Sequence, residues 1–304
     1  MNLIWNPSTG IDLGFFTIHY YSLMFVVAFS LGFYLMKKIF IRENIDEEKL
    51  DSIFMYAVIA TLLGARLGHV FFYDWAYYKN NLLEILLPVR FSPSFEFTGF
   101  QGLASHGAAI AFVISMYLYS KNVIHKPVLW VLDRVTIPAA FGGIFVRIGN
   151  FFNSEIIGNI TSGPMGVKFV QSEVSRNQAV NLTGIKNVKS AYQELVINPK
   201  FTSVLEVLPF RHPAQLYEAF GYVFVSFILY YLYWKTTKRT QLGFLFGSYM
   251  LLIFSVRFVV EFVKKSQGGF ESILGMFSTG QWLSIPFIAV GIYFLVTSKS
   301  RSVN

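Results

Sequence analysis

Arg147 sits in the run Arg147-Ile148-Gly149-Asn150-Phe151-Phe152-Asn153-Ser154-Glu155, at the end of an apolar segment long enough to cross a bilayer. An ionisable side chain at membrane depth is costly. It faces a bundle interior or a wet cavity and marks a functional site. Arg147 and Asn150 are three residues apart and share a helix face, as do Gln215 and Glu218; Arg257 and Glu261, at i,i+4, can pair. A guanidinium is a planar fork that matches phosphate oxygens. Two such arginines near the lipid headgroup level predict a phosphate site fed from the outer leaflet. Tyr20, Tyr21, Arg66, His69, His106 and Tyr217 fall at the same ends of their apolar segments. Taken singly, these residues have plainer readings. Arg257 with Glu261 fits a structural ion pair. His106 fits a hydrogen-bonded interfacial histidine. Tyr20 and Tyr21 fit aromatic-belt anchors, and Arg66 fits a pairing inside the bundle.

The elements that position these residues follow from composition. The chain has 304 residues, 54% hydrophobic and only 14% charged. Soluble domains carry roughly 25% charged residues, so this is an all-α polytopic membrane protein by composition. The net charge of +8 reads as loop bias and contact with anionic membrane lipids, with no motif for nucleic acid. The chain holds no cysteine, which excludes disulfides, thiol catalysis and thiolate metal sites. His19, His125 and His212 lack metal-ligand spacing, so no metal is expected. Residues 1–14 show no basic run before a cleavage site, which argues against a removable signal peptide.

A spanning helix needs about 20 mainly apolar residues. Segments 18–36, 50–72, 104–119, 128–152, 213–234, 242–263 and 281–297 meet or approach this. Lys37, Lys38, Arg42, Lys49, Lys121, Lys126, Lys235, Lys238, Arg239, Lys299 and Arg301 fall in loops on one side. Lys79, Arg90, Lys264 and Lys265 fall on the other. The positive-inside rule then predicts a cytoplasmic C-terminus and an N-terminus outside. Arg134 with Asp133 reads as structural, Gly142-Gly143 as close helix packing, and Lys264-Lys265 as a snorkelling pair. The segment 153–212 is too long for an empty connection. It predicts a small extracytoplasmic head between spans four and five, inserted in one integral membrane domain, 1–304.

These stretches resemble prolipoprotein diacylglyceryl transferases. The run from Arg147 to Glu155 is similar to that family's signature, and Ser105-His106-Gly107 to the core of its His-Gly-Gly stretch. Arg211-His212-Pro213-Ala214-Gln215-Leu216-Tyr217-Glu218 and Arg257-Phe258-Val259-Val260-Glu261-Phe262 resemble two more of its stretches. Tyr21-Ser22-Leu23-Met24 and Gly64-Ala65-Arg66-Leu67-Gly68 resemble its first-span and Gly-Gly-Arg-x-Gly stretches. The motifs come in family order and cover nearly the whole chain. The chain departs from the pattern where Ala108 and Ser154 stand for glycines, where Phe145-Val146 precede Arg147, and in a longer stretch from 171 to 208. The resemblance implies a seven-span enzyme of the bacterial inner membrane. Such an enzyme moves the diacylglyceryl group of phosphatidylglycerol onto the lipobox cysteine of a prolipoprotein signal peptide, releases glycerol phosphate, and needs no cofactor. It implies catalytic roles for His106, Arg147 and Arg257. Substrate-binding roles fall on Tyr21, Arg66, Asn150, Asn153, Glu155, Gln215, Tyr217, Glu218 and Glu261, as well as on Arg147. Two other classes compete. A lipid or anion transporter should show repeat symmetry and paired broken helices, and the sequence shows neither. A membrane scaffold would leave the polar clusters at one depth unexplained. Either would leave phosphatidylglycerol chemically intact.

Overall fold

In lipid every backbone polar group must be satisfied within the protein, and the α-helix does this inside a single segment. The computed structural model describes residues 3–14, 17–87, 89–91, 95–97, 102–266, 268 and 275–301. Its helices, in chain order, begin with α1 (Tyr20–Arg42), α2 (Glu47–Phe72), a short α3 (Trp75–Tyr78), α4 (Ser105–Tyr119) and α5 (Val128–Phe152). Then come α6 (Val170–Glu173), α7 (Arg176–Thr183), α8 (Val188–Ile197) and α9 (Thr202–Val207), followed by α10 (Ala214–Lys235), α11 (Phe244–Val260) and α12 (Thr279–Thr297). Among the described residues, six helices are long and apolar enough to cross a membrane: α1, α2, α4 with its continuation to Ile124, α5, α10 and α12 with its last turn. The seventh apolar helix, α11, has 17 residues. The seven helices coincide with the seven predicted segments, and the chain is an all-α polytopic membrane protein. The third segment was expected to be short, ending at 119; a π turn, Ser120–Ile124, lengthens it.

The chain divides into two units, Phe33–Val135 and Met1–Gly32 with Thr136–Asn304. In the first, α2 and α4 pack backbone against backbone because their contact is made of glycine. A Cβ on Gly68 would come within 2.7 Å of the Gly107 Cα, and one on Gly64 within 2.7 Å of the Gly107 carbonyl. Small residues of this kind allow close helix approach where lipid supplies no hydrophobic drive between helices. Further along, Ser115 Oγ donates to the Tyr56 carbonyl (2.9 Å) and Tyr119 Oη to the Lys49 carbonyl (2.8 Å). Arg134 is structural, as expected, but its main partner is not Asp133. It forks onto Glu43 Oε1 at 3.1 and 2.8 Å, with Asp133 at 4.0 Å and the Trp130 ring beneath it. A short antiparallel pair, β4 (Val89–Arg90) with β5 (Glu96–Phe97), lies in the same unit.

In the second unit, α11 and α12 meet at Gly247 and Gly291, and Gly221 of α10 accepts the Val256 side chain. The strand β1 (Leu3–Trp5) pairs in parallel with β6 (Val167–Phe169), while β2 (Gly10–Asp12) and β3 (Thr17–His19) form a hairpin. Within 153–212, Ile157, Val167 and Phe169 pack with Phe151, Trp5 and Leu216, while the residues from Val170 onward share a second cluster. Val170, Val174, Ala179, Ala191, Tyr192 and Leu195 are buried together there. The long stretch beyond Gln171 is helical, and its starts are well signalled: Ser175 and Gln178 form a capping box on α7, and Asn187 caps α8. Burial pushes the Tyr192 phenol above its ordinary range, and its hydroxyl donates to the Val174 carbonyl at 2.7 Å.

Candidate active site

Arg147 lies near the C-terminal end of α5 and is largely enclosed. Its Nε is ion-paired with the Glu218 carboxylate on α10, and its Nη1 donates to Asn150 Oδ1 at 3.2 Å. Glu218 is 1% exposed, and the guanidinium beside it is the one ion-pair partner it has among the described residues. Asn150 in turn donates to Glu155 Oε2 at 3.3 Å and hydrogen-bonds Tyr21. Asn153 donates to Glu155 Oε1 at 3.1 Å, and the fully buried Gln215 donates to the Glu155 carbonyl. The structure therefore brings Tyr21, Arg147, Asn150, Asn153, Glu155, Gln215 and Glu218 into one network. Gly149 makes room for it, since a Cβ there would lie 2.7 Å from the Tyr21 ring.

The turn that carries Glu155 is unusual. Ser154 and Ile156, on either side of it, have φ of 54° and 56°. A left-handed conformation is uncommon outside glycine and is an outlier for a β-branched residue. Ser154 is the position where the resembled family has glycine, and this backbone explains why. Its Oγ is buried without a hydrogen-bond partner among the described residues.

Arg257, on α11, behaves differently from Arg147. Among the described residues its side chain has no hydrogen bond and no ion pair. Its guanidinium lies 5.9 Å from the Phe254 ring centroid and close enough to Tyr222 and Tyr249 to act on them electrostatically. The expected pairing of Arg257 with Glu261 is therefore not made. Glu261 caps α11 and its backbone N–H still donates to the Arg257 carbonyl at 2.9 Å, but its carboxylate takes Lys264 at 3.0 Å instead. Lys264 is correspondingly buried and its backbone bridges Gly158, which corrects the snorkelling reading for that residue. Tyr217 is also placed otherwise: its hydroxyl meets His212 Nδ1 at 3.2 Å.

Tyr222 is a site residue the sequence reading missed. It hydrogen-bonds Arg147 and faces Arg257, so it stands between the two cations. The available signal was its spacing: four residues after Glu218, it lies on the same face of α10. Its ring rests on Gly143, where a Cβ would lie 3.1 Å away.

In the other unit, Arg66 of α2 is buried and committed to backbone. It donates to the carbonyls of Ile85 (2.8 Å) and Glu84 (2.6 Å) and lies over the Tyr78 ring. The Glu84 carboxylate accepts from the Tyr77 hydroxyl at 2.6 Å and from Phe91 N at 2.7 Å, and it holds the Tyr77 phenol above its ordinary range. Arg66 thus anchors the segment after α3. His106 lies in the first turn of α4 with an exposed side chain, its ring against Phe72 and Tyr73. No group of three or more His, Asp or Glu side chains suited to a metal ion occurs among the described residues.

Residues 9–297 match the family described as prolipoprotein diacylglyceryl transferase. The chain is 36% identical over 300 residues to a protein of Tolumonas auensis named phosphatidylglycerol–prolipoprotein diacylglyceryl transferase, covering 98% of each. It is 34% identical to proteins of the same name from Bacteroides fragilis, covering 100% of this chain and 98% of that one, and from Chloroherpeton thalassium, covering 99% and 96%.

Proposed function

The chain belongs to the prolipoprotein diacylglyceryl transferase family, and from that premise we infer how its residues divide the chemistry. The protein is a transferase that moves the diacylglyceryl group from phosphatidylglycerol to prolipoprotein, the first step of lipoprotein maturation. The acceptor atom is the thiol of the lipobox cysteine in the signal peptide. A thiol must lose its proton before it attacks, since the thiolate is the nucleophile. His106 is the imidazole assigned that proton. Sulfur then bonds to the glyceryl carbon as the carbon–oxygen bond to phosphate breaks, and glycerol phosphate leaves with the electron pair.

The observation that carries this reading is the contrast between the two arginines. Arg147 already has a carboxylate, whereas Arg257 has none among the described residues. One phosphodiester carries one negative charge, which suits a guanidinium that has no carboxylate beside it among the described residues. Arg257 is accordingly assigned the lipid phosphate. Arg147, held by Glu218, Asn150 and Tyr222, is assigned the charge that develops as the phosphate departs. Asn150, Asn153 and Glu155 orient Arg147 and the glycerol hydroxyls, with Tyr21 as a further headgroup donor. Gln215 fixes the Glu155 turn, and Glu261 with Lys264 closes the end of α11. Arg66 and Tyr217 are assigned supporting roles, because their polar atoms already hold protein partners.

The protein is assigned to the bacterial inner membrane with its N-terminus outside, its C-terminus in the cytoplasm and residues 153–212 as the outer head. The loop lysines and arginines support that orientation.

The test is a transfer assay with purified protein, phosphatidylglycerol and a peptide carrying a Leu-x-x-Cys lipobox. Glycerol phosphate release and peptide mass are followed together. Both signals are expected, and both should vanish with the Cys→Ala peptide. Arg257→Ala should lower the rate roughly 100- to 1,000-fold. Intact lipid and peptide with folded protein would refute the assignment.

A further inference from the structure

Histidine is the side chain that ordinarily titrates nearest neutral pH, and a carboxylate on one ring nitrogen fixes which nitrogen is basic. His69 is such a residue, and nothing assigned above uses it. It lies in the last turn of α2, with its Nε2 2.8 Å from Oδ2 of Asp74. Among the described residues its Nδ1 has no hydrogen-bond partner. The backbone of Gly102, at φ 74°, runs so close to the ring that any Cβ there would strike it. Asp74 and this backbone together set the imidazole's orientation.

The pair borders a cavity of about 510 Å³, and Tyr73, Ser105 and His106 form other parts of its wall. The Tyr73 ring centroid is 5.8 Å from that of His69 and 5.7 Å from that of His106. Two imidazoles therefore open on one chamber. Among the described residues the His106 ring has the aromatic contacts Phe72 and Tyr73 and no hydrogen bond or ion pair, whereas His69 has an orienting acid. An imidazole held in one tautomer by a carboxylate is the arrangement that general-base catalysis uses. The titratable groups lining the chamber are His69, Tyr73, Asp74 and His106, and residues 102–105 bring none.

We propose that His69, oriented by Asp74, is a second general base for the thiol of the acceptor cysteine. The assignment rests on the transferase reading. In this step the S–H proton passes to His69 Nδ1 while Nε2–H remains donated to Asp74. The thiolate then forms the S–C bond as the C–O bond to phosphate breaks, and the proton is lost to solvent or to the departing phosphate.

The experiment measures initial rates between pH 5.5 and 9 with phosphatidylglycerol and the lipobox peptide. Wild type, His69→Gln, His69→Ala, Asp74→Asn and His106→Gln are compared. His69→Gln should lower kcat roughly 10- to 100-fold with peptide KM nearly unchanged, and should alter the acid limb of the profile. Asp74→Asn, a change at a half-exposed side chain, should displace that limb with a smaller loss. Added imidazole should restore part of the His69→Ala rate. A wild-type profile in both His69→Gln and Asp74→Asn overturns the proposal, and so does a loss that imidazole does not relieve. Absence of turnover by the wild type would overturn the transferase reading and this assignment together.

Discussion

At the scale of single residues, the site treats two arginines in opposite ways. Arg147 uses separate nitrogens for Glu218 and Asn150, so it needs a fork and not merely a charge. A lysine there supplies one point of contact. Arg147→Lys should therefore reduce kcat by about 100-fold or more, even though the net charge is kept, as read by glycerol phosphate release. Near-normal turnover would show that a charge alone suffices. Ser154 makes a second prediction. A left-handed residue with a Cβ is strained by roughly 1–2 kcal/mol, and a buried hydroxyl without a partner adds to that. Glycine removes both, at a backbone-entropy cost of about 0.5–1 kcal/mol. Ser154→Gly should raise stability by about 1 kcal/mol, seen as a melting shift of roughly 2 °C in detergent. A lower melting point would mean the hydroxyl has a role in the fold.

At the scale of elements, the helices that hold these residues depend on glycine contacts. Gly107 of α4 lies against Gly68 and Gly64 of α2, and the atoms it meets are backbone atoms that cannot rotate away. Gly107→Val should cost about 3 kcal/mol or more and lower the yield of monodisperse protein on size exclusion. Unchanged yield and melting would refute the tight contact. Element boundaries also explain which pairings could be read in advance. Arg147 with Asn150 lies inside a continuous helix, so its spacing was informative. Arg257 and Glu261 keep helical spacing at the end of α11, but Lys264 follows three residues on and competes for the same carboxylate, which spacing alone could not decide. Tyr222 was obscured for another reason: a tyrosine in an aromatic-rich span looks like lipid-facing bulk. Its spacing from Glu218 was the one sequence signal, and its packing on Gly143 and its bond to Arg147 are what distinguish it in the structure.

At the scale of the whole molecule, hydropathy made the seven helices legible, because bilayer thickness sets their length. The content of 153–212 was less legible. Its short helices are specified by caps and by a small shared core, and neither produces a long periodic signal. The orientation can be tested directly because the chain has no cysteine of its own. Lys189→Cys in α8 should react with an impermeant maleimide on intact spheroplasts, and Lys121→Cys only after permeabilisation. The reverse pattern would invert the topology. One consequence concerns timing. Trp5 Nε1 bonds the Phe151 carbonyl, 146 residues away, Gln171 bonds Asn6 across 165, and Asn6 reaches the Tyr192 carbonyl across 186. Contacts so distant in the chain close late. During synthesis the segment around β1 has no partner strand until five helices and β6 have emerged. Until then it presents an unpaired edge to whatever chaperone or protease is nearby. Quality control of this enzyme is therefore expected to act on the β1 segment, which waits for a strand more than 160 residues further along.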